Sequence, residues 1–139
     1  MRRTAGGAKL SASDARGNEM HENWPELAAG MTPALKELRA GVPEVMKGFS
    51  AIARAALDGA ALDAKTKELI ALAIGVAVRC DACIAFHAES ALKRGASRAE
   101  IMEAMGMTIY MGAGPSVMYA AQAIEAYDQF AARGGSGRG

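Results

Sequence analysis

Two cysteines, one histidine and one glutamate carry the side chains of this sequence best suited to chemistry. Cys80 and Cys83 are the chain's two cysteines, spaced C-x-x-C, and His87 stands four residues after the second. In a helix that starts near Cys80 or Asp81, Cys83 and His87 are i, i+4 neighbours, and Cys80 lies about one turn before Cys83. All three side chains then share one side of the helix. The cysteines fall at its N-terminus, where free N–H groups and partial positive charge favour a thiolate. Asp81 works against this, since a carboxylate favours the neutral thiol; pointing to solvent, its effect is small. The x-x spacing also brings the two sulfurs close enough for a disulfide without unwinding the helix. His87 can exchange a proton with Cys83, directly or through a water. The residue pattern therefore points to a reactive cysteine pair with a nearby base.

Glu68 stands twelve residues before Cys80 and heads a run of ten uncharged residues, Leu69 to Val78. Taken alone it is a first-turn acid favoured by the helix dipole. Antiparallel packing of its helix on the cysteine helix is expected to leave Glu68 near the opposite end. Contact with His87 is expected to require helices that cross, or that continue in line around Arg79–Cys80.

The elements that must position these groups read as helices throughout. Thr32-Pro33 is an N-cap followed by a helix-starting proline, opening a short helix to about Arg39. Pro43 opens the next, with Val45, Phe49, Ile52 and Ala56 on one face, and Asp58-Gly59 ends it. Asp63 caps a third helix, about Ala64 to Arg79. Its centre is apolar all round, which predicts burial on all sides, partly by another subunit. The cysteine helix stops at Lys93-Arg94-Gly95, two cations and a glycine. Ser97-Arg98-Ala99-Glu100 is a capping box for a fifth helix carrying Ile101, Met102, Met105 and Ile109. Gly112-Ala113-Gly114-Pro115 breaks the chain. A last helix follows, with Val117, Ala120, Ile124, Tyr127 and Ala131 on one face. The expected fold is all-α, one domain of five or six helices over residues 21–132, between a flexible arm (1–20) and a flexible tail (133–139).

The pattern Glu68, Cys80-Asp81-Ala82-Cys83, His87, then Gly95-Ala96-Ser97 and Glu100-Ile101 resembles the AhpD-like alkylhydroperoxidases of the carboxymuconolactone decarboxylase superfamily. The resemblance covers about residues 25–130. It rests on the E-x11-C-x-x-C-x-x-x-H spacing, which is far more specific than C-x-x-C alone. It implies an all-helical fold that assembles into homo-trimers or hexamers, and a cofactor-free thiol peroxidase. By that likeness Cys83 is the peroxidatic cysteine and Cys80 the resolving one, closing a Cys80–Cys83 disulfide that an external thiol or dithiol reductant reopens. Glu68 and His87 are by the same likeness the proton relay. The family's best-studied type carries a histidine immediately before the second cysteine, where this chain has Ala82, so the relay differs at least in part. The decarboxylase branch typically lacks the cysteine pair, and its lactone chemistry is the alternative enzyme reading.

Other readings of the same residues are inert core cysteines and a metal or redox-sensing module. Zinc accepts S, N and O ligands, so Cys80, Cys83, His87 and Glu68 form a conceivable set, but no second C-x-x-C or His pair supports it. No βαβ pattern surrounds the motif, which disfavours a thioredoxin fold. Trp24, in Asn23-Trp24-Pro25, is expected to anchor the arm on the core or on a neighbouring subunit. The methionines from Met102 to Met118 read as core packing.

Composition sets the remaining expectations. Hydrophobic residues are 51% and charged residues 22%, an ordinary globular balance. A net charge of +1 gives no reason to expect nucleic acid or an anionic membrane as partner. The ten-residue uncharged run spans only ~15 Å as a helix, half a bilayer's hydrocarbon core. No signal-peptide pattern is present in residues 1–20, and a cytoplasmic protein is expected. In such a compartment a C-x-x-C pair points to redox or metal chemistry rather than a structural staple.

Overall fold

The computed structural model describes residues 22–135, and the expected flexible arm (1–20) lies outside them. Five helices follow one another: α1 (Trp24–Gly41), α2 (Pro43–Leu57), α3 (Ala64–Ala77), α4 (Asp81–Lys93) and α5 (Arg98–Gly135). There is no strand among the described residues. The helices α3, α4 and α5 pack on one another, and α1 lies across α4 and α5.

The caps explain most of the boundaries. Asp63 Oδ1 accepts from Thr66 N at 2.7 Å and starts α3. The capping box is reciprocal: Glu100 N donates to Ser97 Oγ at 3.1 Å, and Ser97 N to Glu100 Oε2 at 2.8 Å. Lys65 Nζ also bonds Glu100, at 2.8 Å. That bond, with the Ser97 backbone donor, holds the Glu100 carboxyl below its ordinary 4.5. A lowered carboxyl stabilises the fold above its unfolded pKa, and the contribution is lost as pH falls through the folded value.

One boundary differs from expectation. The first helix starts at Trp24, not at Thr32-Pro33. Asn23 Oδ1 accepts from Glu26 N at 3.1 Å, Pro25 occupies the first turn, and Pro33 lies inside α1. A proline removes one ladder hydrogen bond there. The expected break at Gly112–Pro115 is present: Ala113, at φ 53° and ψ −141°, is non-helical and divides α5 into two helical segments across a kink. A Cβ at position 112 would collide with Ser116 Oγ, so glycine fits where the chain turns sharply. Of the expected flexible tail, residues 133–135 complete α5, and 136–139 lie outside the described residues.

The core is built from Leu72 and Val76 of α3, Ile84 and three alanines of α4, and Ile101, Met105 and the Ala120–Phe130 face of α5. Alanines let the helix axes approach closely, and α4 buries Ala85, Ala88 and Ala91 completely. Tyr127 ties the ends together: its hydroxyl donates to Ala96 O at 2.8 Å, and burial raises its pKa. Trp24 is fully buried in this core, as expected for an anchor.

The amphipathic face of α2 behaves differently. The helix has no buried residue, and Val45, Phe49 and Ile52 are 68%, 64% and 67% exposed. Nor is α3 buried on all sides within the chain: Ile70, Ile74 and Val78, at i, i+4, i+8, form an exposed stripe.

Candidate active site

The site is made by the turn from α3 to α4. Arg79, at φ 59°, occupies the left-handed position after α3. Arg79 N donates to Val76 O at 3.2 Å and Cys80 N to Gly75 O at 3.0 Å, the paired bonds of a Schellman stop. Cys80 is at once the second residue past the C-cap of α3, Val78, and the N-cap of α4. Its carbonyl accepts from Ile84 N at 2.9 Å, and its Sγ accepts from Cys83 N at 3.2 Å. One residue thus closes one helix and opens the next.

Cys80 and Cys83 are joined as a disulfide with Cα atoms 5.2 Å apart. Both are half-buried at the first turn of α4. Behind them, His87 Nδ1 and Glu68 Oε2 are 2.8 Å apart. Glu68 is nearly buried, with 6% of its side chain exposed, whereas His87 retains 38%. A neutral imidazole that donates from Nδ1 to a carboxylate leaves Nε2 as an acceptor.

The expectation that antiparallel packing separates Glu68 from His87 is overturned. Glu68 meets His87, and Gly75 meets Cys83 and Ile84. Both pairs straddle the Val78–Cys80 turn almost symmetrically, as residues across an antiparallel helical hairpin must. Glu68 and His87 are near the same level because each is two to three turns from the bend.

Gly75 is the residue that sequence reasoning missed. A Cβ on it would lie 3.3 Å from Cys83 Cβ and 3.6 Å from Ile84 N. Its absence lets the first turn of α4 approach α3 closely. The signal was a lone glycine inside an otherwise apolar helical run, which usually has a packing reason. Gly75→Ala is expected to push α4 outward at Cys83 and to destabilise the fold by about 1–3 kcal/mol. The checks are a lower unfolding midpoint and a changed equilibrium of the disulfide with glutathione.

Among the described residues, no group of three or more His, Cys, Asp or Glu side chains is placed to hold a metal ion. Nor is any helix long and apolar enough to cross a membrane. The four residues thus form two pairs across the α3–α4 hairpin, the Cys80–Cys83 disulfide and the Glu68–His87 contact.

An all-helical hairpin domain carrying a C-x-x-C disulfide over a Glu–His pair defines the class. The carboxymuconolactone decarboxylase family pattern matches residues 43–126, and the chain belongs to that family. An uncharacterised protein of Haemophilus influenzae is 42% identical over 108 residues, 78% of this chain and 96% of that protein. One of Cupriavidus necator is 40% identical over 86 residues, 62% of this chain and 76% of that protein. Among solved structures, the apo form of a carboxymuconolactone decarboxylase family protein from Legionella pneumophila is 48% identical. It superposes with a TM-score of 0.75 over 77% of this chain and 96% of that one. A family member from Thermotoga maritima, with a suggested part in an antioxidative response, is 27% identical with a TM-score of 0.69, over 79% and 97% of the two chains.

Proposed function

We propose that this protein is a cofactor-free thiol peroxidase that reduces hydroperoxides by cycling Cys80 and Cys83 between dithiol and disulfide. One observation carries the reading: the Cys80–Cys83 disulfide lies at the start of the helix whose His87 is bonded to the buried Glu68. The likeness to a Thermotoga maritima protein with a suggested part in an antioxidative response supports it.

In the forward step the Cys83 thiolate attacks the peroxide O–O bond. The S–O bond forms, the O–O bond breaks, and the departing alkoxide takes a proton to leave as alcohol. His87, relayed to Glu68, accepts the Cys83 proton at the start and returns it to the leaving oxygen. Cys80 then attacks the Cys83 sulfenic acid, the S–S bond forms, and hydroxide leaves as water. An external dithiol reopens the disulfide and is itself oxidised.

The test is consumption of an organic hydroperoxide by the purified protein with a dithiol reductant. One disulfide per peroxide is expected. Glu68→Gln keeps the shape but removes the charge that orients the imidazole, and is expected to slow turnover about 10²-fold or more. Peroxide loss no faster than with the dithiol alone would refute the activity. Unchanged turnover in Glu68→Gln would refute the relay.

We further infer that the working form is a homo-oligomer, a trimer or hexamer as the resemblance implies. An isolated helix the length of α2 is marginal in water, so its apolar face needs a partner. Its own chain leaves that face open, together with the Ile70–Ile74–Val78 stripe and Tyr110 and Met111, 79% and 78% exposed. Light scattering at micromolar concentration should give a multiple of the chain mass, and a monomer mass would contradict it.

A further inference from the structure

The two sulfurs of the disulfide are not equivalent, and their difference bears on how the disulfide is reopened. Cys80 Sγ sits at the N-cap and accepts the Cys83 backbone N–H at 3.2 Å. The Cys80 backbone is held from both sides, its N–H on Gly75 O at 3.0 Å and its carbonyl on Ile84 N at 2.9 Å. Opening the disulfide therefore leaves this sulfur in place, at the positive end of α4, with a donor already aimed at it. An N-cap acceptor that carries full charge gains more from that N–H than a neutral sulfur does. Cys83 stands three residues inside the helix, and its own N–H is the group given to Cys80. In the proposed cycle its proton partner is His87, four residues on in the same helix.

We infer that Cys80 is the leaving sulfur when the disulfide is reduced, so that an external dithiol attaches first at Cys83. This deepens the proposed thiol cycle and rests on it only in taking the pair to be redox-active.

An incoming thiol gives its proton to His87 Nε2, and its thiolate attacks Cys83 Sγ from the side away from Cys80. A new S–S bond joins the reductant to Cys83. The Cys80–Cys83 bond breaks, and its electron pair stays on Cys80 Sγ as thiolate under the Cys83 N–H. The reductant's second thiol releases its proton to solvent, and its thiolate attacks its own sulfur in the mixed disulfide and closes the reductant's disulfide. Cys83 is released as thiolate and takes the proton from His87. Two electrons pass from the dithiol to the protein.

The charged groups nearby do not reverse the ordering. Arg79 and Asp81 flank Cys80 with opposite signs, and both are exposed. Glu68 is engaged with His87 across the hairpin.

The experiment uses the reduced full-length single-cysteine variants Cys83→Ser and Cys80→Ser. In Cys83→Ser the backbone N–H of position 83 remains to hold the Cys80 thiolate. Thiolate absorbance against pH is expected to place Cys80 about one unit or more below Cys83. A second measurement loads each remaining cysteine with 2-mercaptoethanol as a mixed disulfide and follows its release by excess 2-mercaptoethanol. Cys80 should be released several-fold faster than Cys83. Equal values, or Cys83 as the more acidic and faster-leaving thiol, would overturn the inference. Cys83→Ala and Cys80→Ala supply the same comparison if a serine variant folds poorly. Peroxide enters neither measurement. A protein that orders its thiols this way but consumes no hydroperoxide refutes the proposed function alone; the reverse order with turnover intact refutes this inference alone.

Discussion

Cys83→Ser is expected to abolish hydroperoxide turnover, by on the order of 10³-fold or more, because it removes the attacking sulfur itself. Cys80→Ser should behave differently. It leaves Cys83 and the Glu68–His87 pair in place but removes the thiol that closes the disulfide. One equivalent of peroxide should be consumed, after which Cys83 accumulates as a sulfenic acid, or as a mixed disulfide when a thiol is supplied. Stopped-flow peroxide consumption with mass spectrometry of the Cys83 peptide reads both outcomes. Full turnover in Cys83→Ser sinks the thiol mechanism. Full multiple turnover in Cys80→Ser with a monothiol would show that the second cysteine is dispensable.

The second large effect is on stability. Trp24 is fully buried between α1 and the C-terminal part of α5. Its backbone N–H donates to Gln129 Oε1 at 2.8 Å and its Nε1–H to Glu125 Oε2 at 3.1 Å. Gln129 Nε2 returns a bond to Glu22 O at 2.9 Å. Trp24→Ala empties a large volume and is expected to cost about 3–5 kcal/mol. Trp24→Phe keeps most of the ring and gives up the Nε1–H bond, at about 1–2 kcal/mol in addition to its smaller volume change. Urea unfolding at one fixed protein concentration tests both, since an oligomer's midpoint shifts with concentration. A Trp24→Ala midpoint within error of the parent would show that α1 is not held by this residue.

The helices were legible where local chemistry decides them. Asp63, the Ser97–Glu100 box, Lys93-Arg94-Gly95 and Pro43 act through bonds within a few residues, and each lies where the sequence places it. The misread start of α1 has the same kind of cause. Two adjacent signals competed, and Asn23-Trp24-Pro25 prevailed over Thr32-Pro33 because burying Trp24 outweighs one lost hydrogen bond at Pro33. The apolar face of α2 was read correctly as a face, but periodicity says only that a face exists, not that the same chain covers it.

The site divides along the same line. The C-x-x-C spacing at a helix start and the i, i+4 step to His87 are local, so residue types and numbering alone defined a sulfur pair with a base beside it. The place of Glu68 was not local. It depended on the α3–α4 turn folding back as a hairpin, on Arg79 accepting a left-handed backbone, and on Gly75 giving room for Cys83. None of these is encoded by periodicity, because each is a contact between segments that approach only after the chain has turned. The same holds for the inequality of the two sulfurs. Spacing puts both near a helix N-terminus; only the folded turn decides which one receives the free N–H.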